Sequence, residues 1–130
     1  MALDTLPIPP FARSAPLRGA YEARVDRVLG AVRQSLREPY GAADADVLHL
    51  DDGAPWEAVE AFYTDAFATG DLADAGFVRQ DQTSGDPDRY RLAVWAREPA
   101  GRPEAVGVAV VLGRPDGPAS FLLLLHAPRE

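Results

Sequence analysis

Cysteine, lysine and asparagine are all absent from this 130-residue chain, and the first two absences close off chemistry. Without cysteine there is no disulfide framework, thiolate nucleophile, iron–sulfur cluster or thiolate zinc site. Without lysine there is no Schiff base and no phosphate-loop ammonium, and all 13 basic residues are arginine. This bias, alongside abundant Ala, Arg, Gly and Pro, reads as the mark of a GC-rich coding genome and not as a selected function. Also missing is any run near the roughly 18 apolar residues of a membrane span. Residues 1 to 10 lack the basic and long apolar regions of a secretion signal, so the expectation is a cytoplasmic protein with no membrane partner.

What is present fits one packed domain. The length lies within the roughly 100 to 200 residues of a single domain, and 47% hydrophobic with 25% charged residues is a globular composition. The net charge of −7 is unevenly placed: residues 41 to 88 hold one arginine, Arg79, against twelve acids, while each flank holds six arginines against four acids. An acidic middle repels phosphate backbones, so nucleic acid is not an expected partner.

Residues 1 to 16 carry Pro7, Pro9, Pro10 and Pro16 without apolar period and predict an extended surface arm ahead of a single domain over 17 to 130. Leu17, Tyr21, Val25, Val28, Leu29, Val32 and Leu36 recur at helical spacing, with Pro39 as the stop. Residues 47 to 50 form a short apolar run, a first strand. A second helix follows, with Asp52 or Gly53 as cap, Pro55 in its first turn, the stripe Trp56, Val59, Phe62, Tyr63, Ala66 and Phe67, and Gly70 as its stop. Residues 76 to 82, 89 to 97, 105 to 112 and 120 to 127 then read as four strands joined by Gly- and Pro-bearing turns. The predicted fold is α+β, two helices packed on one face of a mainly antiparallel sheet of about five strands, in the order α-β-α-β-β-β-β.

A turn centred near Gly101 places Val94 opposite Val108 and Trp95 opposite Gly107, which sends Trp95 to the sheet face opposite the valine stripe. The last strand, with Phe121 and the leucines from Leu122 to Leu125, is apolar at every position and predicts cover on both sides. Either a helix lies over each face, or the uncovered face meets a second copy. The second option makes Phe121, Leu123, Leu125 and Trp95 candidate interface residues of a homodimer.

His49 and His126 are the only histidines, and neighbouring first and last strands would let them approach, with Asp51 as a carboxylate nearby. Two histidines do not complete a metal site, and Asp44, Asp46, Asp51 and Asp52 lack the spacing of a calcium loop, so neither a metal nor another cofactor is expected. The serines show no nucleophile elbow and the glycines no phosphate cradle, so no catalytic residue is assigned. Trp56 and Tyr63 are the candidate polar groups of a pocket between helix and sheet, with Asp51, His49 and His126 as further candidate ligand-binding residues.

The strand 47 to 50 with Asp51 and Asp52, the helix carrying Ala61, Phe62 and Tyr63, the pair Gly76 and Phe77, and the strand meander together resemble small uncharacterised bacterial α+β domains, a group that implies no activity. Ala61, Phe62 and Tyr63 followed by Gly70, Asp71 and Leu72 are similar to the helix end of the nuclear-transport-factor-2-like cone, which implies a ligand pocket. The functional expectation is a non-enzymatic protein-interaction or self-association module with an unidentified protein partner. The alternative is a small-molecule-binding cone or small enzyme.

Overall fold

The computed structural model describes residues 6–14, 20–50, 55–80, 90–98, 101–112 and 119–127; at 13, 14, 20–24, 38, 39, 71, 119 and 120 only the backbone is described. Asp51, Asp52, Gly53 and the turns at 84–87 and 115–118 lie outside these residues. The elements run β1 (Ala12–Ser14), α1 (Ala20–Tyr40), β2 (Asp44–Leu50), α2 (Trp56–Ala68), α3 (Gly70–Asp74), β3 (Val78–Gln80), β4 (Tyr90–Arg97), β5 (Glu104–Leu112) and β6 (Ala119–Ala127). The fold is α+β, and the open sheet has the order β1-β2-β6-β5-β4-β3 with every neighbouring pair antiparallel.

The helical periods resolve as expected where they are described; Leu17 and the side chain of Tyr21 lie outside the described residues. Val25, Val28, Val32 and Leu36 are fully or almost fully buried along α1, each contributing about 1.5–3 kcal/mol. The helix runs one residue past Pro39, and Gly41 ends it at φ 97°, its amide donating to the Arg37 carbonyl at 2.7 Å. Pro55 is the N-cap of α2, extended at φ −84° and ψ 156°, and its carbonyl takes the amides of Ala58 and Val59. Val59, Tyr63 and Phe67 are the buried stripe of α2, while Trp56 and Phe62 are half-buried beside it.

The helices do not share one face of the sheet. Leu122 and Leu124 of β6 pack in a core with Val59, Tyr63 and Phe67 of α2, whereas Phe121, Leu123 and Leu125 pack with Val25, Val28, Val32 and Leu36 of α1. Since alternate residues of a strand point to opposite faces, α1 and α2 lie on opposite sides. β6 is a central strand between β2 and β5, dry on both faces, so its unbroken apolar run is satisfied within the chain.

The β4–β5 register is one residue from the expected one. Val94 faces Gly107 and Trp95 faces Val106, so Trp95 shares the α2 side with Val106, Val108 and Val110. The expected register would have set Glu98 directly opposite Glu104; the observed one sets Arg97 there. Like charges facing each other are unfavourable and opposite charges favourable, which accounts for the slip. Size sorting agrees: small Ala105, Gly107 and Ala109 turn toward α1, and a Cβ built on Gly107 would lie 3.1 Å from Leu36 Cδ1. The helix therefore sits close over a groove of small residues.

The N-terminal segment also departs from a free surface arm. Leu6 is in the core, the Tyr63 hydroxyl donates to the Pro7 carbonyl at 2.8 Å, and Ala12, Arg13 and Ser14 pair with Leu50, His49 and Leu48. Proline at 7, 9 and 10 prevents regular pairing there, but the proline-free residues after Pro10 supply both donors and acceptors and extend the sheet by a strand.

Candidate functional site

The densest chemistry lies across one end of the sheet, on the α2 side. Asp44 of β2 is opposite His126 of β6, and Arg97 of β4 is opposite Glu104 of β5. His126 and Glu104 come together because Val106 pairs with His126 and Glu104 lies two residues before it on the same face. Arg97 Nε donates to Glu104 Oε1, and His126 Nε2 donates to Glu104 Oε2 at 2.8 Å. The other arm of Arg97 donates from Nη1 to the Ala75 carbonyl at 2.9 Å, and its guanidinium stacks 4.7 Å from the Phe77 ring centre. His126 and Glu104 are both buried.

Burial pushes the Glu104 carboxyl up, but the hydrogen bonds and charges of Arg97 and His126 outweigh it and hold Glu104 below its ordinary value of 4.5. Glu104 is therefore an ionised anchor for its two partners, unsuited to donating a proton near neutrality. A histidine oriented by a carboxylate is half of a nucleophile–base pair, yet no hydroxyl is hydrogen-bonded to His126 among the described residues. Nor, among them, do three His, Asp or Glu side chains gather as a metal cage requires.

The structure separates the residues singled out from sequence. β2 and β6 are neighbours, but their antiparallel register sets His49 opposite Phe121 and His126 opposite Asp44. Five ladder positions part the histidines, roughly 17 Å at strand rise, and they point to opposite faces. His49 meets the Phe121 ring edge-on at 5.6 Å, and its Nδ1 is buried without a partner. Asp51 lies outside the described residues. Tyr63 is fully buried with its hydroxyl engaged by Pro7, and burial pushes its phenol pKa up, so it offers nothing to a ligand; Trp56 is half-buried in the same core. The open, twice-covered sheet does not curl round a pocket as a cone would.

Phe121, Leu123 and Leu125 are sealed beneath α1, and Trp95 stacks on Phe67 at 4.7 Å beneath α2. None of the four reaches the surface. Glu104 and Arg97 were missed as site residues because only the β4–β5 and β5–β6 registers bring them to each other and to His126. The available signal was a pair of opposite charges at the facing ends of two mainly apolar strands across a Gly101 turn.

A second feature lies on the outer side of α1. Gly30, Arg33, Gln34 and Arg37 with Ala42 and Ala43 line a hollow of about 260 Å³, and an adjoining one of about 460 Å³ takes in Gly41. The lining combines small residues with two arginines and a glutamine. Neither the Arg33 nor the Arg37 guanidinium has an acidic or hydrogen-bonding partner among the described residues. Arg79 and Arg97, by contrast, pair with Glu60 and Glu104. A Cβ placed on Gly30 meets nothing within 4 Å, so intrachain packing does not require glycine there. Glycine inside a helix is roughly 0.8–1.0 kcal/mol less favourable than alanine. No helix among the described residues is long and apolar enough to cross a membrane.

Comparison of the chain with protein-family models, with curated proteins and with solved structures finds no match.

Proposed function

We propose that this chain is a non-enzymatic protein-interaction module whose contact surface is the outer face of α1 from Gly30 to the start of β2. The observation that carries the proposal is the mid-helix glycine under open space beside two guanidiniums that have no partner among the described residues. A destabilising residue with no intrachain reason points to a constraint from outside the chain, and close approach of a partner supplies one. Among the described residues, Glu104, His126 and Arg97 bind each other, and the Tyr63 hydroxyl secures the N-terminal segment.

Self-association through β6 is not part of the proposal, since helices of the same chain cover that strand. The exposed edge at β3 is a weaker candidate despite Val78, because it is three residues long and Arg79 is tied to Glu60. Its Gln80 side chain also caps the Val78 carbonyl at 2.8 Å. The test is amide NMR of the full chain against a panel of short amphipathic peptides, repeated with Gly30→Trp to fill the hollow. Shifts confined to residues 30–43 that vanish in the variant support the proposal. Shifts centred elsewhere, or unchanged by Gly30→Trp, refute it.

A further inference from the structure

We infer that the α1 hollow receives an acidic helical segment of a partner protein, carrying two carboxylates one turn apart; this rests on the α1 face being the contact surface. Three features of the hollow select that occupant.

Charge comes first. Arg33 and Arg37 are four residues apart on α1, which sets their side chains side by side on one face with Cβ atoms roughly 5–6 Å apart. Like charges at this spacing repel, and no carboxylate of the described chain relieves them, although the whole sequence holds 20 acids against 13 arginines. Together with the Gln34 amide they make a wall composed almost wholly of donors, complementary to carboxylate oxygens. The helix end opposes an anion only weakly, because its C-terminal dipole amounts to a partial negative charge that solvent screens. Two guanidinium charges facing the same groove outweigh that partial charge.

Shape decides between a free anion and a chain segment. Gly30, Arg33, Gln34 and Arg37 are exposed, so the hollow is a shallow groove along the helix, not an enclosure. Small-molecule sites bury most of their ligand, and this one would leave a small anion largely in water. A segment laid across the groove instead brings its own neighbouring surface into contact.

The third feature is Gly30, three residues before Arg33 and four before Gln34. Its missing side chain lets a crossing backbone come closer to α1 than the usual 8–10 Å between helix axes. A partner helix with acids at i and i+4 matches the Arg33–Arg37 spacing while a small residue of that helix rests over Gly30.

The experiment uses the full chain and two synthetic alanine-based helical peptides, one with Glu at i and i+4 on one face and one with Lys at those positions. Binding is followed by the amides of residues 30–43 and the arginine Nε–H signals. The Glu peptide is expected to shift both sets, with affinity falling at least about tenfold between about 50 and 300 mM salt, while the Lys peptide does not. The double variant Arg33→Glu with Arg37→Glu is expected to exchange the preference. Gly30→Leu, which keeps every charge, is expected to lose the Glu peptide, with the fold verified by the dispersion of its amide spectrum. Equal or preferential binding of the Lys peptide in this groove overturns the acidic partner and leaves the contact surface standing. Failure of both peptides to move these signals overturns both.

Discussion

A single methyl group added at Gly30 is expected to stabilise the fold. The position lies inside α1, a Cβ there meets nothing within 4 Å, and its backbone is helical. Gly30→Ala therefore gains the helix-propensity difference of about 0.8–1.0 kcal/mol without a steric penalty. At about 2.1 cal/mol/K per residue of unfolding entropy, a chain of 130 residues should melt about 3–4 °C higher. Gly107→Ala is the internal control. Its Cβ would stand 3.1 Å from Leu36 Cδ1 and 3.7 Å from Leu125 Cβ, in the layer where α1 lies on the sheet. Overpacking of this kind costs about 1–3 kcal/mol, more than any gain in strand propensity, so the sign reverses. Thermal melts and urea titrations with unchanged slope measure both. A neutral or destabilising Gly30→Ala would refute the claim that intrachain packing leaves that face of α1 open. A stabilising Gly107→Ala would refute the close seat of the helix.

Leu123→Ala, beneath α1 at zero exposure, is expected to lose about 2–5 kcal/mol in urea titration, whereas exposed Val78→Thr should stay within about 0.5 kcal/mol. Light scattering across concentrations is expected to find the wild-type monomer, because neither face of β6 is open; a dimer that Leu123→Ala dissociates without unfolding would contradict this. Glu104 is held below its ordinary value of 4.5, so the stability it contributes is complete above about pH 4.5 and is lost as pH falls through the depressed value. Urea midpoints measured from acid to neutral pH should therefore fall less steeply for Glu104→Gln than for wild type, and equally steep curves would deny the linkage. Tyr63→Phe leaves the Pro7 carbonyl without its donor and should cost about 1–3 kcal/mol. Hydrogen-exchange protection of Ala12–Ser14 should drop with it, and retained protection would show that the segment is held by other contacts.

Much of the architecture is legible in one dimension. Val25, Val28, Val32 and Leu36 repeat every three or four residues, and Val59, Tyr63 and Phe67 do the same, because a helix can bury only one stripe. The strands β2 to β6 and their order along the chain also follow from pattern, and the leucines of β6 imply cover on both sides because an antiparallel strand with one wet face would alternate. Those inferences hold because each depends on residues close together in the chain. The side of the sheet each helix takes, the register of β4 on β5 and the admission of residues 12–14 to the sheet do not. Each turns on which residues meet once the chain has folded: Arg97 against Glu104 instead of Glu98 against Glu104, or Gly107 beneath Leu36.

The candidate sites divide in the same way. Local composition marked His49, His126, Trp56 and Tyr63, but only the antiparallel pairing of β2 with β6 parts the two histidines, and only the pairing of β5 with β6 gives His126 to Glu104. The α1 groove likewise needed the tertiary structure, since an arginine in a helix pattern has the same sequence signature whether or not a carboxylate faces it. What the sequence determined by itself was the set of elements and their apolar faces, because hydrophobic periodicity is a short-range property. What the tertiary structure alone decided was which charges meet and which stay unmet, because charge pairing depends on distances that the folded chain sets.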